Sequence, residues 1–179
     1  MSVPSLHRRA AGVLLHFTSL PGPYGSGDLG DEAHRFVEFL SAAGQRYWQV
    51  LPVQPPGGGA SPYQTISSFA GHAALVSIDA LIRDGLVTAD FVRELVPKGD
   101  DTAIDFVATS LFRDTVLRAA FREYARTHSR TRDSEFDAFV RSHDSWLEDY
   151  ALYVALKTKF GGVAWTAWPE PLRAREPHS

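Results

Sequence analysis

Apolar positions follow two different rhythms along this chain. Residues 12–16 (Gly-Val-Leu-Leu-His) and 47–51 (Tyr-Trp-Gln-Val-Leu) are short apolar runs bounded by turn residues, the pattern of buried strands. Between them Phe36, Val37, Phe39, Leu40 and Ala43 recur at helical spacing over 28–43. Asp28 or Asp31 suits the start of that helix and Gly44 its end. Strand, helix and strand in so short a span make a βαβ unit, with a parallel pair and a right-handed crossover. Pro52 is expected to stop the second strand. A Pro/Gly loop follows over 52–63. Residues 73–78 read either as strand or as the lead into a helix.

After Asp79 the period becomes 3.6. Residues 88–96, 104–127 and 134–160 each show it. The last run carries Phe136, Phe139, Val140, Trp146, Leu147, Tyr150, Ala151, Val154 and Leu156, and Gly161-Gly162 closes it. Residues 127–133 form a polar, basic link, and 165–179 are rich in Pro, Trp and charge. No repeat appears. The expected organisation is a tail at 1–9, β/α units at 10–78 and a mostly helical subdomain at 79–179.

Composition narrows the functional classes. The 179 residues are 44% hydrophobic and 22% charged, enough for a real core. A net charge of −3 argues against nucleic acid or an anionic membrane as partner. No cysteine is present, which excludes disulfides and thiolate metal sites and fits a cytoplasmic protein. The apolar run 10–15 is shorter than a secretory core of roughly 7–15 residues. No run approaches the ~18 apolar residues of a membrane span.

Several motifs invite chemistry and carry little. Gly25-Ser26-Gly27-Asp28-Leu29-Gly30 spells the dinucleotide fingerprint. However, a segment holding Pro21 and Pro23 separates it from the first strand, and Leu51-Pro52-Val53-Gln54 offers no acid to a ribose. Its glycines suit a long loop at a strand's carboxyl end. Gly57-Gly58-Gly59 lacks the Lys-Ser/Thr of a phosphate loop and reads as a connector. The seven histidines (7, 16, 34, 72, 128, 143 and 178) have no metal-ligand spacing. His16 ends the first strand, where a structural hydrogen bond is expected. Nothing spells Gly-x-Ser-x-Gly. The carboxylates Asp28, Asp31, Glu32, Asp90, Asp114, Glu148 and Asp149 fall at helix starts or on helical faces, as caps and solvated charges do. None supplies the strand-end pair, about 5–5.5 Å apart, that glycosidic retention needs.

Ser61-Pro62-Tyr63-Gln64 stands in the loop after the second strand, the functional face of a parallel barrel. A tyrosine offers a flat body to a sugar's CH face and a polar tip to its hydroxyls. By itself such a tyrosine is more often packing.

An ordered series of segments resembles the amylomaltases, 4-α-glucanotransferases of glycoside hydrolase family 77. The first is residues 12–25, Gly-Val-Leu-Leu-His-Phe-Thr-Ser-Leu-Pro-Gly-Pro-Tyr-Gly, then Gly27-Asp28-Leu29-Gly30 with its helix. Trp48-Gln49-Val50-Leu51-Pro52, Ser61-Pro62-Tyr63-Gln64 and Ser68-Phe69-Ala70-Gly71 follow. Residues 146–153, Gly161-Gly162, Trp165, Trp168 and Pro169 continue the likeness over 8–177. The resemblance implies an α/β fold: the N-terminal part of a TIM (β/α)8 barrel, incomplete in this chain, with a large helical insertion. It implies an enzyme that transfers α-1,4-glucan segments between maltooligosaccharides. The reaction retains configuration through a covalent glycosyl-Asp, with a Glu as acid/base and a second Asp stabilising the transition state. No cofactor and no metal are implied; the implied partner is the glucan, not nucleic acid or membrane. Ser61 and Tyr63 match family positions lining the donor site, Tyr63 against the sugar whose bond breaks and Ser61 on a glucan hydroxyl. The three carboxylates belong to later strands, so no catalytic residue is expected within these residues, and the chain alone is expected to be inactive. The alternative is a non-catalytic glucan-binding remnant. This sequence departs from the family at Gly58 and Ala60, where a Tyr and an Asp are usual, at Phe17 for Pro, and at His72 for Asn.

Overall fold

Gly12–Leu14 (β1) and Tyr47–Gln49 (β2) form a parallel pair, with Gly12, Val13 and Leu14 opposite Tyr47, Trp48 and Gln49. The computed structural model describes residues 9–57, 59, 61–98, 103–127 and 130–176. Gly58, Ala60, the tail before Arg9, and His7, His128 and His178 lie outside them. Both strands are shorter than the apolar runs suggest. Pairing nonetheless continues at each end, where Leu15 N–H donates to Gln49 O and Arg46 N–H to Ala11 O. The second strand ends at Gln49, ahead of Pro52.

The crossover is α1, Asp31–Ala42. The turn before it is held by Asp28, whose carboxylate accepts the Gly30 N–H at 2.9 Å. Asp31 sits in the first turn and bonds Arg83. The helix and strands meet on Trp48. Its ring is approached edgewise by Phe17 at 4.8 Å and Phe36 at 4.9 Å, and its Nε1–H donates to Leu15 O at 2.7 Å. α1 buries Ala33 and Leu40, but Val37 and Phe39, on the apolar face read from spacing, are exposed. No described element covers that side.

Residues 73–78 resolve into a 3-10 turn, Ala73–Leu75, leading to α2, Ile78–Arg83. Ser77 and Thr88 cap α2 and α3 (Ala89–Leu95) by accepting the Ala80 and Phe91 N–H groups. α4, Phe106–Thr127, supplies Phe112, Val116 and Ala120 to a core completed by Ile78, Val87 and Val92, with Tyr24 stacked on Phe112. α2, α3 and α4 therefore share a core with the loop following β1.

The side chain that ties these pieces is Arg113, 1% exposed. Its Nη2 donates to Ser26 O at 2.8 Å and its Nη1 to Val76 O at 3.1 Å. Both also reach Asp28 Oδ2, at 3.3 and 3.4 Å. Burial pushes the Asp28 carboxyl up and the Arg113 guanidinium down, each outweighing the attraction between them. Such a pair contributes little beyond a well-packed apolar one, but removing one partner strands the other.

A second unit begins at Ser129. It holds α5 (Arg130–Ser142), α6 (Leu147–Lys159), a 3-10 turn (Trp165–Ala167) and the single turn α7 (Glu170–Arg173). The continuous helix expected over 134–160 breaks at 143–146. There the Phe139 carbonyl accepts from Ser142 Oγ and His143 Nδ1, and the His143 ring stacks on Phe139 at 4.3 Å. Side chains thus take up an acceptor that the backbone ladder would have used. α5 also starts inside the polar link expected at 127–133. Among the described residues no helix is long and apolar enough to cross a membrane.

Arg113→Met should destabilise this protein by about 3–5 kcal/mol, the usual cost of stranding a buried charge. Asp28→Asn added to it should restore part of that loss. Urea unfolding followed by tryptophan fluorescence checks both, and an Arg113→Met loss below about 1 kcal/mol would contradict the assigned role.

Candidate functional site at the carboxyl ends of the strand pair

The loop that leaves β2 is closed at its base by backbone bonds. Gly57 N–H donates to Gln64 O at 2.5 Å and Ile66 N–H to Pro55 O at 3.1 Å, with Pro56 and Thr65 forming an antiparallel bridge. The Thr65 hydroxyl donates to Pro55 O and Ser67 O, and Ser67 Oγ accepts the Phe69 and Ala70 N–H groups. His72 N–H returns to Val53 O at 2.8 Å. Ser61 and Tyr63 stand at the tip of this pinned loop. Gln64 N–H reaches Ser61 O at 3.3 Å, and the Tyr63 side chain is 72% exposed. The tyrosine is therefore not core packing. Neither of two grooves of about 440 Å3 elsewhere is lined by Ser61 or Tyr63.

Two histidines lie at the same end of the strands. His16 follows β1, and its Nδ1 is buried without a partner among the described residues, so the structural hydrogen bond expected there is not made by that atom. Burial lowers its pKa from the ordinary 6.5. His72 closes the β2 loop and is lowered by burial first, then by the charges of His16 and Arg113. His72 thus lies close enough to His16 and Arg113 for their charges to oppose its protonation.

The dinucleotide-like run has a packing explanation. Gly25 has φ +76°, and a Cβ there would stand 2.5 Å from Thr109 Oγ1 on α4. A Cβ on Gly27 would meet Phe17 O at 2.2 Å, and one on Gly30 would meet Ser77 Oγ at 2.6 Å. Each glycine is thus required by a protein neighbour, with no phosphate needed to account for it. Beside this run, Tyr24 donates to Asp79 at 2.5 Å. Burial, followed by that bond and the Asp79 charge, holds the phenol well above its usual pKa.

The carboxylates on helices behave largely as the sequence suggests. Asp31, Glu32, Asp90, Asp114 and Asp149 pair with Arg83, Arg35, Arg93, Arg118 and Arg175. Asp28 differs: it anchors a turn, but its side chain is only 13% exposed and bonds Arg113. Among the described residues no cluster of three or more His, Cys, Asp or Glu could hold a metal ion. Sequence reasoning did not single out Arg113, because an arginine in a long helix reads as one more surface charge. His72 carried a signal as a departure from the family pattern, but its neighbour His16 is distant in sequence.

The family model for 4-alpha-glucanotransferases, glycoside hydrolase family 77, matches residues 15–179. The chain is 46% identical over 168 residues to the 4-alpha-glucanotransferase of Thermus thermophilus, covering 94% of this chain and 33% of that protein. It is 36% identical over 174 residues to the 4-alpha-glucanotransferase of a Synechocystis strain, covering 97% and 34%. Its structure superposes on the amylomaltase from Streptococcus agalactiae in complex with acarbose with a TM-score of 0.86. That match has 34% identity and covers 95% of this chain and 34% of that one. The chain therefore spans about a third of the length of the curated relatives it matches.

Both site histidines have depressed pKa values, so the unfolded chain takes up their protons first as pH falls. Their neutral forms thus favour the fold fully above the ordinary 6.5, and that contribution is lost as pH falls through 6.5 toward the folded values. Replacing His72 by Asn should make stability fall less steeply between pH 7.5 and pH 5. Urea midpoints across that range measure it; an unchanged slope would remove His72 from the response.

Proposed function

We infer the function from a premise that the matches establish: this chain belongs to the 4-alpha-glucanotransferase family, glycoside hydrolase family 77. The protein that contains it transfers α-1,4-glucan segments between maltooligosaccharides, with retention through a covalent glycosyl-Asp. β1, α1 and β2 are the opening units of a (β/α)8 barrel, and the residues after 78 are mostly a helical insertion into it. Ser61 and Tyr63 belong to the donor site. The carboxylates that perform the chemistry lie in the part of the family's length that this chain does not span.

The observation that carries this reading is the exposed Tyr63 on a braced loop, directly after the carboxyl end of a parallel strand. A fixed loop holds an aromatic face at a set place. A glucose ring has an apolar CH face for that ring and a rim of hydroxyls for Ser61 and the phenol. The Streptococcus agalactiae relative was solved with acarbose, which supports a sugar-like ligand for this fold. Positioning of this kind acts on rate: a sugar displaced by about 1 Å can lose roughly a hundredfold. Asp31, Glu32, Asp90, Asp114 and Asp149 each answer an arginine, which supports the placement of the acid chemistry elsewhere.

A chimera in which this chain replaces the matching third of the Thermus thermophilus relative tests the proposal. Incubated with maltotriose, it should release glucose and form longer maltooligosaccharides. A folded chimera that leaves maltotriose unchanged would sink the reading. Within the active chimera, Tyr63→Ala should lower transfer by more than about tenfold through misplacement of the sugar, and Ser61→Ala by less. Unchanged rates in both would remove the loop tip from the site.

A further inference from the structure

The loop that carries Ser61 and Tyr63 has its two ends joined where His72 N–H donates to Val53 O at 2.8 Å. The chain just beyond His72 is held from the other side. Leu75 N–H turns back to His72 O at 2.9 Å, and Leu75 O accepts Leu29 N–H at 3.0 Å. Val76 O accepts Arg113 Nη1 at 3.1 Å. His72 thus stands between the loop and a segment fixed on Arg113. Its half-buried ring lies within reach of two charges, those of His16 at the end of β1 and of Arg113 on α4. Asp28, the carboxylate in the turn before α1, is engaged by both Nη atoms of Arg113.

We propose that His72 is a proton-sensitive positioning residue for the transfer reaction: its neutral ring lets the loop close on Val53, and a proton on that ring loosens the closure and displaces Tyr63. The proposal rests on the donor-site role given above to Tyr63. Its physical basis is a competition between restraints. A protonated His72 is a cation near the guanidinium of Arg113, and like charges repel more strongly in a partly desolvated setting than in water. Arg113 cannot retreat, because Ser26 O, Val76 O and Asp28 hold it. The segment after His72 cannot retreat either, since it is bonded to Arg113 and Leu29. The restraint left to yield is the bond to Val53. Burial first, then the charges of His16 and Arg113, keep the pKa of the ring below the ordinary 6.5. The loop is therefore closed at neutral pH and loosens as pH falls through that lowered value. An amide at this position keeps the backbone N–H and takes no proton, so His72→Asn separates the charge of the ring from the bond to Val53.

The test uses the chimera with the Thermus thermophilus relative. Between pH 7.5 and pH 5 its kcat on maltotriose should fall by about threefold or more beyond the fall seen in His72→Asn, with little difference in KM. Over the same range the residue 72 amide should lose about tenfold or more of its hydrogen-exchange protection, corrected for the intrinsic effect of pH. In His72→Asn that amide should keep its protection. Equal pH profiles for the two proteins, or exchange at residue 72 that does not respond to pH, overturns the proposal. So does an equal loss of protection along α4, which is general unfolding rather than release of the loop. A folded chimera that transfers nothing at any pH counts against the transferase reading alone; the proton-driven release of the loop then stands or falls by the exchange result.

Discussion

A guanidinium taken out of water needs an acceptor for nearly every donor, and that requirement organises the first unit. Arg113 lies in the middle of α4, far in sequence from the strands. Its acceptors are the Ser26 carbonyl after β1, the Val76 carbonyl before α2 and the Asp28 carboxylate ahead of α1. Holding one side chain therefore fixes two segments, the turn at 26–28 and the stretch before α2, against one helix, although Arg113 Nε stays without a partner among the described residues. Asp28 has a further duty to the Gly30 N–H, so the start of the crossover helix depends on the same charge. The close approach this demands explains the glycines around it. Thr109, one turn before Arg113 on α4, occupies the space where a side chain on Gly25 would stand.

The same anchor reaches the strand-end site by electrostatics. His72 feels both His16 and Arg113, and its backbone N–H closes the loop that carries Ser61 and Tyr63. Burial and those two charges lower the pKa of His72, and burial alone lowers that of His16. The loop's own bonds close its base beneath the exposed Tyr63.

The second unit shows the opposite balance. α6 and the turn at Trp165 bury one indole and leave another half exposed beside a leucine row. Amphipathic helices draw most of their stability from a packed face. The apolar trough between α6 and the segment after it leaves Leu152 and Trp165 about half exposed. Val37 and Phe39 on α1 show the same exposure in the first unit.

The sequence by itself determined the βαβ opening, the helical remainder and the family, because these depend on local period and on an ordered series of motifs. The parallel pair and the loop bearing Ser61 and Tyr63 were legible in that way, whereas Asp28, read as a possible helix cap, instead holds the turn before a helix whose N-cap is Gly30. Spacing read one helix over 134–160, since periodicity does not register Ser142 and His143 competing for the Phe139 carbonyl. It gave α1 a face that includes Phe39, since period does not say which side a neighbour covers. Only the tertiary structure decided that Arg113 is the anchor, that Asp28 is largely withdrawn from water, and that His72 feels the charges of His16 and Arg113. These are properties of distance between residues remote in the chain, and desolvation, which sets their energies, exists only once the chain has closed around them.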